Sequence, residues 1–225
     1  MDAMTLYIGN KNYSSWSLRP WLALKHTGAP FHEEMLPLDR PDTATRISAK
    51  SPSGRVPALH TGDLVVWDSL AICEYLNERF PEAQLWPADA AARARARSVT
   101  AEMHSGFAAL RQHWTMNIRR TPTGAPIDHA HLPAPVRADV DRILALWTDC
   151  RQRAGNTGPF LFGAFSIADC FYAPVVTRFR SYGLALTGPT ADYAAAVWDW
   201  PAMKEWAAAA HAEPLRIEKY ETPTL

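Results

Sequence analysis

Three short segments of the chain combine residue types that can hold an anion. Tyr13-Ser14-Ser15-Trp16-Ser17 stands where a β-rich stretch, Thr5-Leu6-Tyr7-Ile8, turns at Gly9-Asn10 into a helical pattern. Gly54-Arg55-Val56-Pro57 begins another β-rich stretch, and Asp68-Ser69 opens a second helical pattern. A helix N-terminus presents unpaired N–H groups and a partial positive charge, so the first and third segments are natural anion sites. A ligand carboxylate at Ser69 and a thiolate near Ser14 or Ser15 would both be stabilised. A free thiol titrates at ~8.5, and a helix N-terminus with hydroxyl donors lowers that value. Val56-Pro57 offers something different. In the cis form an X–Pro bond leaves exposed backbone groups, to which a peptide-like ligand can pair as an extra strand. The plainer roles are capping for the serines and Asp68, and a solvated loop for Arg55.

The elements that must position these residues follow from spacing. Leu18 to Lys25 reads as a helix with Ser17 as N-cap, Pro20 in its first turn and Thr27-Gly28 as its end. Phe31 to Leu36 reads as a weaker strand. Val56 to Leu59 and Leu64 to Trp67 flank His60-Thr61-Gly62-Asp63, a hairpin signal. Leu70, Cys73, Leu76 and Phe80 mark a helix ending before Pro81. After Pro87 strand signals largely vanish. Val99, Met103, Phe107, Leu110 and Trp114 form one apolar stripe, and Val136, Val140, Ile143, Trp147 and Cys150 another, joined by a Pro/Gly/His-rich stretch from Thr121 to Pro135. Ser166 and Asp169 make a capping box for a third helix, in which Pro174 is a kink or break. A last helix runs from about Pro201 to Ala210. Two domains result: residues 1–86, a small α/β unit, and residues 87–225, all-α.

Composition narrows the function classes. The 225 residues suit two modest domains at ~100–200 residues each. Hydrophobic residues at 48% and charged residues at 20% describe a globular chain. Lys+Arg and Asp+Glu cancel at 23 each, which gives no global footprint for nucleic acid or an acidic membrane. Cys73, Cys150 and Cys170 make neither a disulfide framework nor a zinc cluster, and His129 and His131 lack further partners at ligand spacing. No metal, signal peptide or membrane helix is expected, and a reducing cytoplasmic setting fits. Nine tryptophans exceed what a sealed core needs, so some should line a half-buried wet surface.

At these residues the chain resembles the glutathione transferase superfamily. Val56-Pro57-Ala58-Leu59 followed by Asp68-Ser69-Leu70-Ala71-Ile72-Cys73-Glu74-Tyr75-Leu76 is similar to its glutathione-binding segment. Ser14-Ser15-Trp16-Ser17-Leu18-Arg19 is similar to the S-S-C-S-W-R motif of the zeta class, which includes maleylacetoacetate isomerases, with Trp16 in place of the cysteine. Ser166-Ile167-Ala168-Asp169 matches a hallmark of the family's helical domain. The resemblance implies a thioredoxin-like N-terminal domain, a helical-bundle C-terminal domain and a homodimer. It implies that Val56, beside Pro57, pairs with the cysteinyl part of glutathione, and that Asp68 and Ser69, with Arg55, hold the γ-glutamyl end. Ser14 is favoured as the donor to the sulfur, with Ser15 as helper. His104, Arg111 and Trp114, with Tyr13 and Trp16, are expected to shape the pocket of a small electrophilic second substrate, near Asn117, Arg119 and Arg120. The implied activity is glutathione transfer. The alternatives are a maleylacetoacetate-type isomerase and a non-catalytic binding or regulatory protein of the same fold. The absent cysteine weakens the isomerase case and argues against cysteine-dependent redox chemistry.

Overall fold

The computed structural model describes residues 3–155 and 157–221. Strand β1 (Met4–Ile8) leads through a tight turn into α1 (Ser15–Thr27), followed by β2 (His32–Met35) and a short α2 (Thr43–Ser48). The hairpin β3 (Ala58–Thr61) and β4 (Leu64–Trp67) then leads into α3 (Ser69–Arg79). The sheet order is β2-β1-β3-β4, with β1 parallel to β2 and antiparallel to β3. This is the thioredoxin-like arrangement, and β1 explains why its sequence is apolar almost throughout. Leu6 and Ile8 face the core beneath α1 and α3, while Tyr7 faces a second small cluster with Leu36, Ile47 and Ala58. Both faces of β1 are therefore covered, and alternation along it is lost.

Beyond α3 the chain is helical: α4 (Ala90–Ser105), α5 (Ala108–His113), α6 (Ala134–Ala154), α7 (Ile167–Tyr182), α8 (Gly188–Asp199) and α9 (Pro201–Ala212). Helix α1 packs against α3 on one side and against α7 and α9 on the other. One continuous apolar core runs through this seam, with Leu18, Trp21 and Leu22 of α1 meeting Phe171 and Trp206 among others. Helix α1 is thus buried by both halves of the chain.

Several elements depart from the spacing-based expectation. Helix α1 starts at Ser15 with Ser14 as its cap, not Ser17. Pro20 therefore lies beyond the first turn, where its missing N–H leaves the Trp16 carbonyl without its helical partner. The stripe from Val99 to Trp114 is two helices, because the chain breaks at Gly106-Phe107. Phe107 takes a left-handed conformation (φ 55°), and a Cβ on Gly106 would lie 2.7 Å from the Glu102 carbonyl. The Asp139 carboxylate then caps the new helix at Leu110 N, 2.9 Å away. Helix α7 runs through Pro174 to Tyr182 without a break. Helices α2 and α8 were not expected; α2 buries only Ile47, and α8 opens on Gly188-Pro189, which reads as a loop.

Candidate active site

The turn Gly9–Ser14 fixes where α1 begins. Gly9 lies against Leu38, where a Cβ would come within 2.8 Å, and its N–H donates to Ser17 Oγ at 3.0 Å. Ser14 Oγ accepts from Ser17 N at 3.3 Å and donates its own proton to Ser17 Oγ at 2.8 Å. Ser14 is therefore an N-cap with both hydrogen-bonding roles filled. Ser15, the next residue, is placed differently. Its oxygen accepts from Arg178 Nη2 at 3.4 Å, and its O–H donates to no described residue. It lines a cleft of about 290 Å³ with Tyr13, Trp16, Arg111, Arg178 and Tyr220.

A second cleft, of about 470 Å³, lies on the other side of the Trp16 indole. Arg55, Val56, Pro57, Trp67, Asp68 and Ser69 line it, so two of the three segments meet here and the first reaches them through Trp16 alone, not through Ser14 or Ser15. The Val56–Pro57 bond is cis. Asp68 has φ 71° and ψ 136°, a conformation strained for a residue with a side chain, and such outliers concentrate at ligand sites. The strain lets its carboxylate cap α3 at Leu70 N (2.8 Å) and Ala71 N (3.4 Å) while its second oxygen faces His104 Nε2 at 3.5 Å. The Ser69 hydroxyl is buried without a partner among the described residues. A buried polar atom left open in a cleft at a helix N-terminus suits a ligand carboxylate.

The electrostatics of the neighbouring 290 Å³ cleft are one-sided. Among the described residues no Asp or Glu lines it, whereas Arg111 and Arg178 do. Arg178 is anchored to the Trp114 carbonyl (2.7 Å) and the Pro174 carbonyl (3.0 Å). Burial, with Arg111 beside it, lowers its pKa to about 10, so it stays cationic at neutral pH. Arg111 stacks 5.5 Å from the Trp16 ring. His104 packs edge-on against Trp16, and burial lowers its pKa against the pull of Asp68. It stands beside Trp16 as a neutral ring and lines neither cleft.

Two of the expected pocket residues, His104 and Trp114, do not line the 290 Å³ cleft. Trp114 is fully buried, with its ring stacked on Tyr182 at 5.1 Å, so it belongs to the helical core and not to the cleft wall. The stripe that carries it continues around α5 toward the interior, while Arg111 points to the cleft. Tyr13 lines the cleft by its ring only. Its hydroxyl donates to Glu221 and accepts from Arg119 Nη2 at 2.7 Å and Ile217 N at 3.2 Å.

These bonds belong to a C-terminal strap, residues 213–221, which the spacing did not reveal. Glu213 accepts from the Asn10 side chain and from Asn12 N (3.2 Å), and Asn117 Nδ2 donates to Glu221 Oε2 (3.2 Å). Arg119 reaches the Leu215 carbonyl (2.9 Å), and Arg120 reaches the Glu221 carbonyl (2.6 Å). Tyr220 of this strap closes one side of the 290 Å³ cleft.

Among the described residues no group of three His, Cys, Asp or Glu could hold a metal, and no helix is long and apolar enough to cross a membrane. The three cysteines are buried and unpaired, and burial raises the thiol pKa of each. None lies at the Ser15 turn.

Comparison with known proteins bears on this arrangement. Two family models match: "Glutathione S-transferase, N-terminal domain" over residues 13–79 and "Glutathione S-transferase, C-terminal domain" over residues 88–209. A maleylpyruvate isomerase from Ralstonia is 30% identical over 79% of this chain and 85% of its own. A stringent starvation protein A homolog from Pasteurella multocida is 26% identical over 82% of this chain and 79% of its own. Among solved structures, a zeta-class maleyl pyruvate isomerase superposes with TM-score 0.69 at 28% identity, over 95% of this chain and all (100%) of that one. A glutathione transferase homolog from Burkholderia, crystallised with bound glutathione, shares the fold with TM-score 0.70 at 22% identity, over 93% and 98% of the two chains.

Proposed function

The chain belongs to the glutathione S-transferase family, and we propose that it binds glutathione beside Asp68 and Ser69 and ionises the thiol for attack on a small electrophile. When bound, glutathione supplies the sulfur nucleophile; the chain supplies position and charge. The N-terminus of α3, with the open Ser69 hydroxyl and the Asp68 carboxylate, suits the amino-acid end of the peptide. Val56, two residues before β3, offers backbone for pairing, and Arg55 lines the same cleft.

The observation that carries this reading is the Ser15 hydroxyl. The expectation from the motif favoured Ser14, with Ser15 as helper, but the Ser14 proton is held by Ser17 whereas that of Ser15 is free to be donated. Arg178 behind the Ser15 oxygen polarises the O–H outward. Ser15 acts here as a hydrogen-bond donor; no described base is bonded to it that would make it a covalent nucleophile. The test is a thiolate absorbance titration of the enzyme–glutathione complex. Ser15→Ala should raise the midpoint while leaving affinity for glutathione nearly intact, and a curve identical to wild type would refute the assignment.

The 290 Å³ cleft beside Ser15 favours a particular electrophile. Two arginines, with no carboxylate among the described lining residues, suit an acidic substrate such as an unsaturated carboxylic acid. That observation keeps the isomerase branch open despite Trp16, and the isomerase relatives are in line with it. Turnover of such an acid with and without net loss of glutathione separates isomerisation from conjugation. The other reading is a non-catalytic binding or regulatory module of this fold. Retention on immobilised glutathione decides between them, because a module lacking a working site should pass through. A homodimer is in keeping with the exposed Leu64 and Trp67 on β4, and a cytoplasmic setting with three free cysteines.

A further inference from the structure

Arg19 is fully buried, and its Nε, Nη1 and Nη2 have no hydrogen-bond partner among the described residues. Its guanidinium is held between two rings, 4.2 Å from the centre of Trp16 and 4.6 Å from that of Phe171. An unpartnered buried cation is costly to keep, and aromatic faces offset only part of that cost. Arg19 lies four residues after Ser15, hence on the same face of α1. Helical side chains lean toward the N-terminus, which carries this charge back toward the Ser15 turn. The charged and titratable groups around it bracket that place: Asp68 at one cleft, Arg111 and Arg178 at the other, His104 between them, and Cys73 beneath. Burial, followed by the two neighbouring arginines, lowers its pKa to about 9, so the group is cationic at neutral pH.

We propose that Arg19 is the buried positive charge that keeps the glutathione thiol ionised, acting through the Trp16 ring that separates it from both clefts. The proposal rests on the glutathione-binding reading above. The S–H bond breaks, its electron pair stays on sulfur and the proton leaves to bulk water. The field of Arg19 adds to that of the α1 N-terminus, and both stabilise the resulting anion. Trp16 is then more than a pocket wall. It shields the charge from water, which would otherwise screen it.

A purely structural role, in which the stack fastens α1 to α7, predicts the opposite behaviour of one variant. Arg19→Met keeps length and apolar packing but removes the charge. The proposal expects the thiolate titration midpoint of bound glutathione to rise by about 1 or more. Affinity for S-methylglutathione, which has no thiol proton, should be unchanged, and Tm should be unchanged or higher because an unpaired buried charge is gone. Arg19→Lys should keep the wild-type midpoint. A midpoint in Arg19→Met equal to wild type, with normal S-methylglutathione binding, overturns the proposal. If Arg19→Met does not fold, Arg19→Lys decides: a midpoint moved to that of free glutathione overturns it, and a wild-type midpoint supports it. Absence of a thiolate in the wild-type complex would instead sink the glutathione reading itself, so the two failures are distinguishable.

Discussion

Helices α1 and α7 both begin with a serine cap at the seam between the two halves of the chain, and the two starts are built on opposite terms. At α7, Asp169 Oδ2 accepts from Ser166 N (2.8 Å) and Ser166 Oγ (3.0 Å), while Oδ1 accepts from Leu161 N (3.1 Å). Every one of these donors is buried and matched, and the segment holds the core together. At α1 the cap Ser14 is matched as well, but the residues just after it are not. The Ser15 proton, the Ser69 hydroxyl in the neighbouring cleft and the whole Arg19 guanidinium have no partner among the described residues. Open polar atoms in a buried place destabilise a fold unless something else meets them. The contrast teaches that completeness of hydrogen bonding, more than residue type, separates a closed helix start from one left open to a ligand.

The comparison can be broken most forcefully at α7. Asp169→Ala strips three buried donors at about 1 kcal/mol or more each, so stability should fall by roughly 3 kcal/mol in a denaturant titration. Thiolate formation per folded molecule should stay unchanged. The pH profile sharpens the point. Burial raises the Asp169 pKa from 3.8 to about 6, so the protonated form is favoured in the folded state. The stability this lends is full below the ordinary carboxylate range and is lost as pH rises through about 6. Asp169→Asn should flatten that slope.

At α1 the expected effects move from stability to chemistry. Ser15→Ala should lower kcat about a hundredfold, the scale for losing one preorganised donor, with little change in Tm. Arg111→Ala should weaken kcat/KM about tenfold for a carboxylate-bearing electrophile and leave a neutral one nearly untouched. Equal losses for both would remove the acidic-substrate reading. Ser14→Ala completes the series with the smallest effect: about 1 kcal/mol of stability from the lost cap, and activity within about twofold of wild type. Should Ser14→Ala instead abolish the thiolate while Ser15→Ala spares it, the roles drawn here for the two serines are reversed.

Much of this was legible from residue order alone. The β-α-β and β-β-α pattern, the hairpin, the Ser166–Asp169 box and the meeting of Val56, Asp68 and Ser69 at one cleft all rest on local signals, which spacing reports well. What escaped it depends on distant partners. Ser14 and Ser15 are the same residue type one position apart, and only the Ser17 and Arg178 side chains tell them apart. Trp16 and Trp114 looked alike, yet Tyr182 draws one into the core while the other remains at the cleft. Arg19 was visible as the end of a motif. That its charge has no partner is a property of the packed seam and of no single segment. The Gly106 break likewise turns on the Glu102 carbonyl and on Asp139, beyond the reach of an apolar stripe.

The strap over Tyr13 has a consequence for the order in which the protein is made. Asn10, Asn12 and Tyr13 emerge from the ribosome early, but their partners Glu213 and Glu221 follow about 200 residues later. At synthesis rates of roughly 5–20 residues per second, that interval lasts ten seconds or longer. During it the sheet and α1 can form while the turn ahead of Ser15 lacks its clamp and the nearby cleft lacks its Tyr220 wall. The cleft beside Ser15 thus gains its last wall only when residues 213–221 reach the turn at Asn10 to Tyr13.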